Sequence, residues 1–178
     1  VVTAGIPSPE AMKDFDDVWN AYARVVEEHT RALAEFQRLE YDVTAAECSF
    51  LFISMLTDAC LDRERPMLDG GVQHLGGTLE TYGNTNAADS LLVIKELVYD
   101  HGTLSLPQLV GALDADFEGH PDLLARCRAV AKYGNDEGTA DAMARRVHEH
   151  VCRVTRKQAK RVGLDSYLVV IINNWWAI

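Results

Sequence analysis

The sequence predicts a predominantly helical α/β fold with about two strands and five to seven helices. Three observations lead to this fold class. Apolar residues recur every three or four positions over long stretches, as they do on one face of a helix. Two segments break this period: residues 72–80 alternate weakly around a pair of glycines, and the middle of residues 166–173 is β-branched and apolar. Proline and capping residues separate the helical stretches, which marks where helices begin.

The first predicted helix starts after Ser8, Pro9 and Glu10, which supply a capping hydroxyl, a proline and an acid in the first turn. Its apolar face continues to about residue 40 through Phe15, Val18, Trp19, Tyr22, Val26, His29, Leu33 and Phe36. The following stretch, "CSFLFISMLTDACL" over residues 48–61, is apolar nearly all round. This composition predicts a helix that is buried on most sides.

A strand near 72–80 and a loop lead to a helix from about Asn86. Ser105 with Pro107 opens the next helix, and His120 with Pro121 opens one that runs to about Ala131.

The stretch "KYGND", residues 132–136, then predicts a joint between helices. Gly134 and Asn135 suit a helix C-cap, and Asp136 suits the N-cap of a long helix over 139–162. The last element, within 166–173, has the pattern of a strand buried on both faces, as in a parallel sheet.

Composition excludes several classes of function. The chain has 178 residues, which we interpret as a single domain over 1–178, and its net charge of −10 argues against a nucleic-acid partner. No run of 18 apolar residues predicts a membrane span, and the first residues lack the pattern of a secretory signal. The four cysteines are widely spaced, which favours reduced core thiols in a cytoplasmic protein.

Two other patterns are compatible either with a binding site or with a purely structural role. His148 and Cys152 share a helix face, but two ligands do not make a metal site, so we predict no metal. Seven basic residues lie on the helix over 139–162. Such a stripe binds phosphates in some proteins, but a solvated helix face with cations near its C-terminal end fits the acidic whole better.

One resemblance is specific. The segments "GGVQHLGGTLETYGNTNAADSLLVIKELVYD" and "LSLPQLVGALDADFEGHPDLLARCRAVAKYGNDE" resemble, in order, the pyruvate formate-lyase-type glycyl radical enzymes. The shared features are a double-glycine strand, an Ala-Asp-Ser helix start, a Phe-Glu-Gly turn and the Lys-Tyr-Gly-Asn-Asp joint. The resemblance covers about residues 13–174 and implies a partial pyruvate formate-lyase-like domain, part of a ten-stranded α/β barrel.

The resemblance also has departures. Many members carry an aromatic-Asn-Phe-Thr-Gly-Pro run where this chain has "HLGGTL", residues 74–79, so no familiar substrate is implied. In the family, a glycyl radical installed by a radical SAM activase oxidises a cysteine on a second loop. The matched segment lies between those two loops, so the chain is expected to carry neither the catalytic cysteine nor the radical glycine. A natural split, an interrupted reading frame and an artificial boundary all remain open as explanations.

The resemblance therefore implies a scaffold segment of a radical lyase or dehydratase on a small polar substrate, inactive alone, with no catalytic residue or cofactor of its own. The alternative is a stand-alone helical interaction protein derived from that family. Within a complete barrel, Glu80, Tyr82 and Asn84 are the candidate substrate-binding residues, since loops at strand ends carry barrel sites. The strand at Tyr167–Ile172 is low in charge and lacks proline, which predicts pairing with a second copy or a complementary chain.

Overall fold

The computed structural model describes residues 5–171. Two parallel strands, β1 (Gly76–Thr81) and β2 (Ser166–Ile171), form a two-stranded sheet within this range. The helices are α1 (Phe15–Glu47), α2 (Leu51–Met55), α3 (Asn84–Ile94), α4 (Leu106–Asp114), α5 (Pro121–Ala129) and α6 (Gly138–Arg161). Short 3₁₀ turns at Pro9–Ala11 and Met67–Asp69 and a π-helical segment at Lys95–Asp100 complete the regular structure. The predicted helical α/β class is confirmed.

The chain divides into two compact units. The helical unit contains the residues up to 25 together with 83–150, and the sheet unit contains residues 26–82 with those from 151 onward. α1 and α6 each begin in the helical unit and end in the sheet unit.

The core of the helical unit is built from the apolar faces of its helices. The start of α1, α3 with the π-helical segment after it, α4 and the first half of α6 contribute its buried side chains. Ser105 opens α4 with a full capping box: its hydroxyl accepts from the Gln108 amide, and the Gln108 side chain accepts from the Ser105 amide. The predicted helix start at Ser105 and Pro107 is thereby confirmed.

The core of the sheet unit lies under the parallel strands. Its buried residues come from α1 (Ala34), β1 (Leu79), α6 (Val151 and Ala159) and the approach to and start of β2 (Leu164 and Tyr167). Leu75 and Asp165 directly precede the two strands and hydrogen-bond to each other. The Leu75 amide donates to Asp165 Oδ2, and the Asp165 amide donates to the Leu75 carbonyl, both at 2.8 Å. This reciprocal pair fixes the register that sets Gly76 opposite Ser166.

Several predicted boundaries differ from the structure. α1 continues to Glu47, beyond the predicted end near residue 40. The strand predicted from residue 72 begins at Gly76, because residues 72–75 form a turn region and the approach to the strand. β2 is described to Ile171, so the last two predicted strand positions, 172–173, lie outside the described residues.

The joint at 132–136 is built differently from the prediction. α5 ends at Ala129, and Lys132, not glycine, covers its end: the Lys132 ammonium donates to the carbonyls of Cys127 and Val130. Asp136 is no N-cap, since its backbone is left-handed (φ 57°) and α6 begins two residues later. The joint is anchored instead by the Tyr133 amide, which donates to Asp89 Oδ1 at 2.9 Å.

The prediction of a buried helix over 48–61 is wrong. α2 has only five residues, and most of the large apolar side chains in this stretch are exposed. Apolar residues on all sides of a helix indicate that its surface is buried by other protein, but they do not show that the burying residues belong to this chain. The prediction of core thiols holds in part: Cys60 is buried, whereas Cys48 is exposed.

Candidate functional site

The two strands have one covered face and one bare face. Gly77, Leu79 and Tyr167 are buried on the covered side. Side chains alternate along a strand, so their neighbours point the other way. Leu168 and Val170 are 59% and 37% exposed, which corrects the prediction of a strand buried on both faces.

The bare face carries two exposed polar residues of β1 beside these apolar residues of β2. The register sets Thr78 opposite Leu168 and Glu80 opposite Val170. Parallel strands are normally covered on both faces, so this half-polar face is suited to line an interior cavity.

A cleft of about 370 Å³ adjoins β1. Its polar lining consists of Gln37, Thr78, Glu80, Tyr82 and Tyr167. Its apolar walls are formed by Leu33, Phe36 and Leu79. One acid and no base are present in this lining. The cleft therefore offers hydrogen-bond acceptors and hydroxyl groups beside apolar surface, a combination that suits a small polar molecule with hydroxyl or amine donors.

The structure brings together two of the three predicted site residues. Glu80 is the second-to-last residue of β1, not a loop residue, and Tyr82 follows the strand in an exposed loop. Both line the cleft. Asn84 is the first residue of α3, after a left-handed Gly83 (φ 77°), and belongs to the helical unit.

Two tyrosines at or near the cleft, Tyr167 and Tyr41, were not among the predicted site residues. The Tyr41 hydroxyl donates to the Gly76 carbonyl at 2.8 Å and ties α1 to β1. Burial raises the pKa of Tyr41, and the neighbouring Glu40 carboxylate raises it further. Burial likewise raises the pKa of Tyr167.

The glycine pair in β1 explains why helix and strand approach so closely. A Cβ at Gly77 would lie 3.1 Å from Tyr167 Cδ2 and 3.4 Å from Gln37 Cγ. The sequence signal for these contacts was available: positions 33, 37 and 41 share one face of α1, and paired glycines in a strand indicate a close neighbour.

The basic stripe of α6 is partly neutralised by acids of α1. Lys157 pairs with Glu27 and Arg161 with Glu35 in the sheet unit, while Arg146 pairs with Asp16 in the helical unit. Arg146 also lies 4.0 Å from the ring centroid of Trp19. These contacts favour a structural role for the stripe over phosphate binding.

The described residues contain no group of three or more His, Cys, Asp or Glu side chains arranged to hold a metal ion. Nor does any helix in the described range have the length and apolar character needed to cross a membrane.

Comparison with known proteins decides the family. Residues 1–174 match the profile of the family described as pyruvate formate lyase-like. The chain belongs to this family. The resemblance to glycyl radical enzymes is thus confirmed.

Relatives agree in sequence and in fold. Isethionate sulfite-lyase from Bilophila wadsworthia is 29% identical over 174 residues, which are 93% of this chain and 20% of that protein. The glycerol-bound B12-independent glycerol dehydratase from Clostridium butyricum superposes with a TM-score of 0.85 at 25% identity, covering 90% of this chain and 20% of that one. Hydroxyproline dehydratase from Clostridioides difficile, with trans-4-hydroxy-L-proline bound, shows the same fold, with a TM-score of 0.85 at 21% identity and coverage of 94% and 21%.

The chain spans about a fifth of the length of these relatives.

Proposed function

We propose that the chain is a scaffold segment of a glycyl radical lyase or dehydratase, and that it supplies one wall of the cavity for a small polar substrate. The observation that carries this proposal is the parallel pair β1–β2, which has a helix-covered face and a bare face with Thr78 and Glu80. In an α/β barrel, helices cover the outer face of each strand and the other face points inward.

The scaffold role is supported by how the strands are held. The Tyr41 hydroxyl bond holds β1 against α1, and the Leu75–Asp165 pair holds the starts of β1 and β2 together. Such contacts set the position of a strand without taking part in chemistry. A barrel wall needs this rigidity because a displacement of about 1 Å is enough to weaken catalysis severely.

The substrate role falls to the acid and hydroxyl groups beside β1. Glu80 and Tyr82 line the cleft, and both accept hydrogen bonds from hydroxyl groups. We also assign substrate contact to Asn84, in a complete barrel only. Glycerol and trans-4-hydroxy-L-proline, the molecules bound to the two structural relatives, carry hydroxyl groups, which supports a hydroxylated substrate.

We assign the glycyl radical to a part of the enzyme outside this sequence. None of the 12 glycines in this sequence stands in an Arg-Val-x-Gly-Tyr-like context, so the residues present do not fit the radical site of the family. We derive no step of radical chemistry from this chain and assign the radical glycine and the catalytic cysteine to the remainder of the enzyme.

The partner in this proposal is a second copy or a complementary chain that pairs with the strand at Tyr167–Ile172, of which Ile172 lies outside the described residues. Support comes from the strand order, because among the described residues β2 pairs with β1 on one edge and has no partner strand on the other. Amide hydrogen exchange tests this pairing. Protection of the β2 amides that do not face β1 is expected, and rapid exchange there would contradict it.

Electron paramagnetic resonance tests the functional proposal. The purified chain, incubated anaerobically with a radical SAM activase, is expected to give no glycyl radical doublet. Co-expression with neighbouring reading frames that encode the two loops is expected to give both the doublet and turnover of a hydroxylated substrate. A doublet from the chain alone would refute the assignment.

Glu80→Gln in that active complex is expected to raise KM more than it lowers kcat, because the substitution weakens binding and leaves the radical groups intact. Glu118→Gln, on an exposed turn of the helical unit, is the matched control and is expected to leave both constants unchanged.

A further inference from the structure

Exposed apolar side chains are unevenly divided between the two units. Among the described residues, 16 large hydrophobic side chains are exposed, and 14 of them belong to the sheet unit. The other two, Leu113 and Tyr133, belong to the helical unit. Single exposed apolar residues are normal on a protein surface, whereas many together mark a surface that other protein covers. The helical unit thus has an ordinary solvent-exposed surface, and the sheet unit has the surface of an interface.

Net charge follows the same division. The helical unit has 15 acidic and 8 basic residues, a net charge of −7, whereas the sheet unit has 12 and 9, a net charge of −3. Within the sheet unit, residues 48–57 contain no charged side chain. Charged groups are depleted at the centres of protein interfaces and keep solvent-exposed surfaces soluble. Charge therefore indicates, independently of exposure, that the sheet unit faces other protein.

The exposed apolar side chains of the sheet unit lie on two opposite sides of it. α1 packs on the covered face of the strands through Ala34 and Tyr41. The other side of this helix carries three exposed apolar side chains at three- and four-residue steps: Phe36, Leu39 and Val43. Leu168 and Val170 project from the bare face of the strands. Helix and strands thus form two layers, and each layer has apolar groups on its outer side.

A further seven of these side chains lie on the segment after α1: Phe50, Leu51, Phe52, Ile53, Met55, Leu56 and Leu61. Ser54 is buried within this segment, and its hydroxyl donates to the Phe50 carbonyl at 2.7 Å and accepts from the Met67 amide at 3.0 Å. Leu33 and Tyr82, beside the cleft, complete the set. The segment is therefore held in place by hydrogen bonds, and its apolar side chains are exposed by a defined backbone.

The extent of this surface distinguishes between possible partners. The 14 side chains expose roughly 1,700 Å², about twice the area that one partner buries in a standard-size interface. A copy that docks about a two-fold axis covers one patch of each chain, so it leaves either the outer side of α1 or the bare face in water. The net charge of −10 also opposes contact between copies. The remainder of the enzyme is about four times as long as this chain and can cover both sides at once.

We propose that the remainder of the enzyme encloses the sheet unit on both sides, while the helical unit stays at the solvent-exposed surface. This inference rests on the function proposed above and adds which surfaces of the chain the enzyme buries. The covering segments are apolar where they meet residues 48–57, because a charged group buried there would lose its hydration without gaining a counter-charge.

Hydroxyl-radical footprinting with mass spectrometry tests the proposal. The chain is labelled alone and in complex with the polypeptide that carries the cysteine and glycine loops, expressed with it as one chain or as separate chains. In the complex, Phe36, Phe52 and Met55 are expected to react at least about 10-fold more slowly than in the chain alone, because a packed interface excludes water. Leu113 and Tyr133 are expected to react at unchanged rates.

A matched pair of variants tests the same surface by assembly. Phe52→Ser/Leu56→Ser, at side chains that are 70% and 73% exposed, is expected to lower the yield of copurified complex about 10-fold or more, since apolar anchors carry most interface energy. Leu113→Ser, at a site on α4 that is 54% exposed, is the control and is expected to leave the yield unchanged. Circular dichroism is expected to show unchanged folding of both isolated variants, because neither changes a buried side chain.

Four outcomes would overturn the proposal: reactive sheet-unit side chains in the complex, equal protection of both units, a double variant that assembles normally, or polypeptides that do not copurify. Protection in the chain alone that rises with its concentration would also overturn it, since a second copy would then be the cover. The glycyl radical doublet, recorded on the same complex, separates this inference from the proposed function. Protection without a doublet rejects the function and leaves the covered surface in place, and a doublet without protection does the reverse.

Discussion

Thr155 is a buried hydroxyl whose removal is expected to stabilise the protein. The residue lies on α6 in the sheet unit, between Val151 and Ala159 on the same helix face, and its side chain is 0% exposed. No hydrogen-bond partner for its Oγ1 is found among the described residues. A buried hydroxyl without a partner costs about 1–3 kcal/mol relative to solvent.

Thr155→Val replaces this hydroxyl with a methyl group of nearly the same shape and with a similar helix propensity. The expected gain in the free energy of unfolding is about 1–2 kcal/mol. For a chain of 178 residues, each kcal/mol corresponds to about 2–4 °C in Tm. Urea titration followed by circular dichroism measures the gain, and differential scanning calorimetry measures the shift in Tm.

Two comparisons make the test specific. Thr155→Ser keeps the hydroxyl and loses a methyl group, so it is expected to destabilise by about 0.5–1.5 kcal/mol. Thr85→Val, at an exposed position in the first turn of α3, is the surface control and is expected to change stability by less than about 0.5 kcal/mol. If Thr155→Val instead destabilises by about 1 kcal/mol, the hydroxyl has a partner, and the reasoning is refuted.

Three further predictions concern the backbone and pH. Gly71→Ala places a Cβ 2.2 Å from the Arg65 carbonyl oxygen, and because the obstacle is backbone we expect a loss of more than about 2 kcal/mol in urea titration; a loss below 0.5 kcal/mol contradicts this. Apart from its chain neighbours and the backbone of its own helix, a Cβ at Gly111 on α4 meets nothing within 4 Å, so we expect the same titration to show a gain of about 0.5–1 kcal/mol for Gly111→Ala. The pKa of Tyr41 in the folded protein lies above its ordinary value of 10.0, so its contribution to the free energy of unfolding is complete below pH 10 and is lost as pH rises through the folded-state pKa. Tyr41→Phe is therefore expected to reduce the loss of stability at alkaline pH in pH-dependent melts. An unchanged slope of Tm against pH would argue against this expectation.

Local signals in the sequence predicted most of the helix starts. Ser105 and Pro107 open α4 as expected, because a cap and a proline act within a few residues of the backbone they satisfy. The end of α5 was harder to predict. Its carbonyls are covered by Lys132 and the joint is held by Asp89, 44 residues from Tyr133, and a contact at that separation leaves no local pattern.

The candidate site was predictable only in part, for a similar reason. Strand position places Glu80 and Tyr82 beside one cleft, and both were identified from the sequence. Tyr41 and Tyr167 were missed, since their roles arise from tertiary contacts with β1. The 48–61 stretch was mispredicted for a different reason. Its composition predicts that the surface will be covered, but a periodicity analysis cannot distinguish a cover within the chain from a partner.

The parallel pairing of β1 and β2 has a consequence for biosynthesis. Leu75 and Asp165, which open the two strands, are 90 residues apart. At a translation rate of about 5–20 residues per second, β2 is synthesised roughly 5–20 s after β1. Residues 83–150 of the helical unit are made in that interval and have time to fold first. Until β2 arrives, β1 lacks the strand with which it pairs in the described structure, so its backbone N–H and C=O groups on that edge stay hydrogen-bonded to water while the helices form.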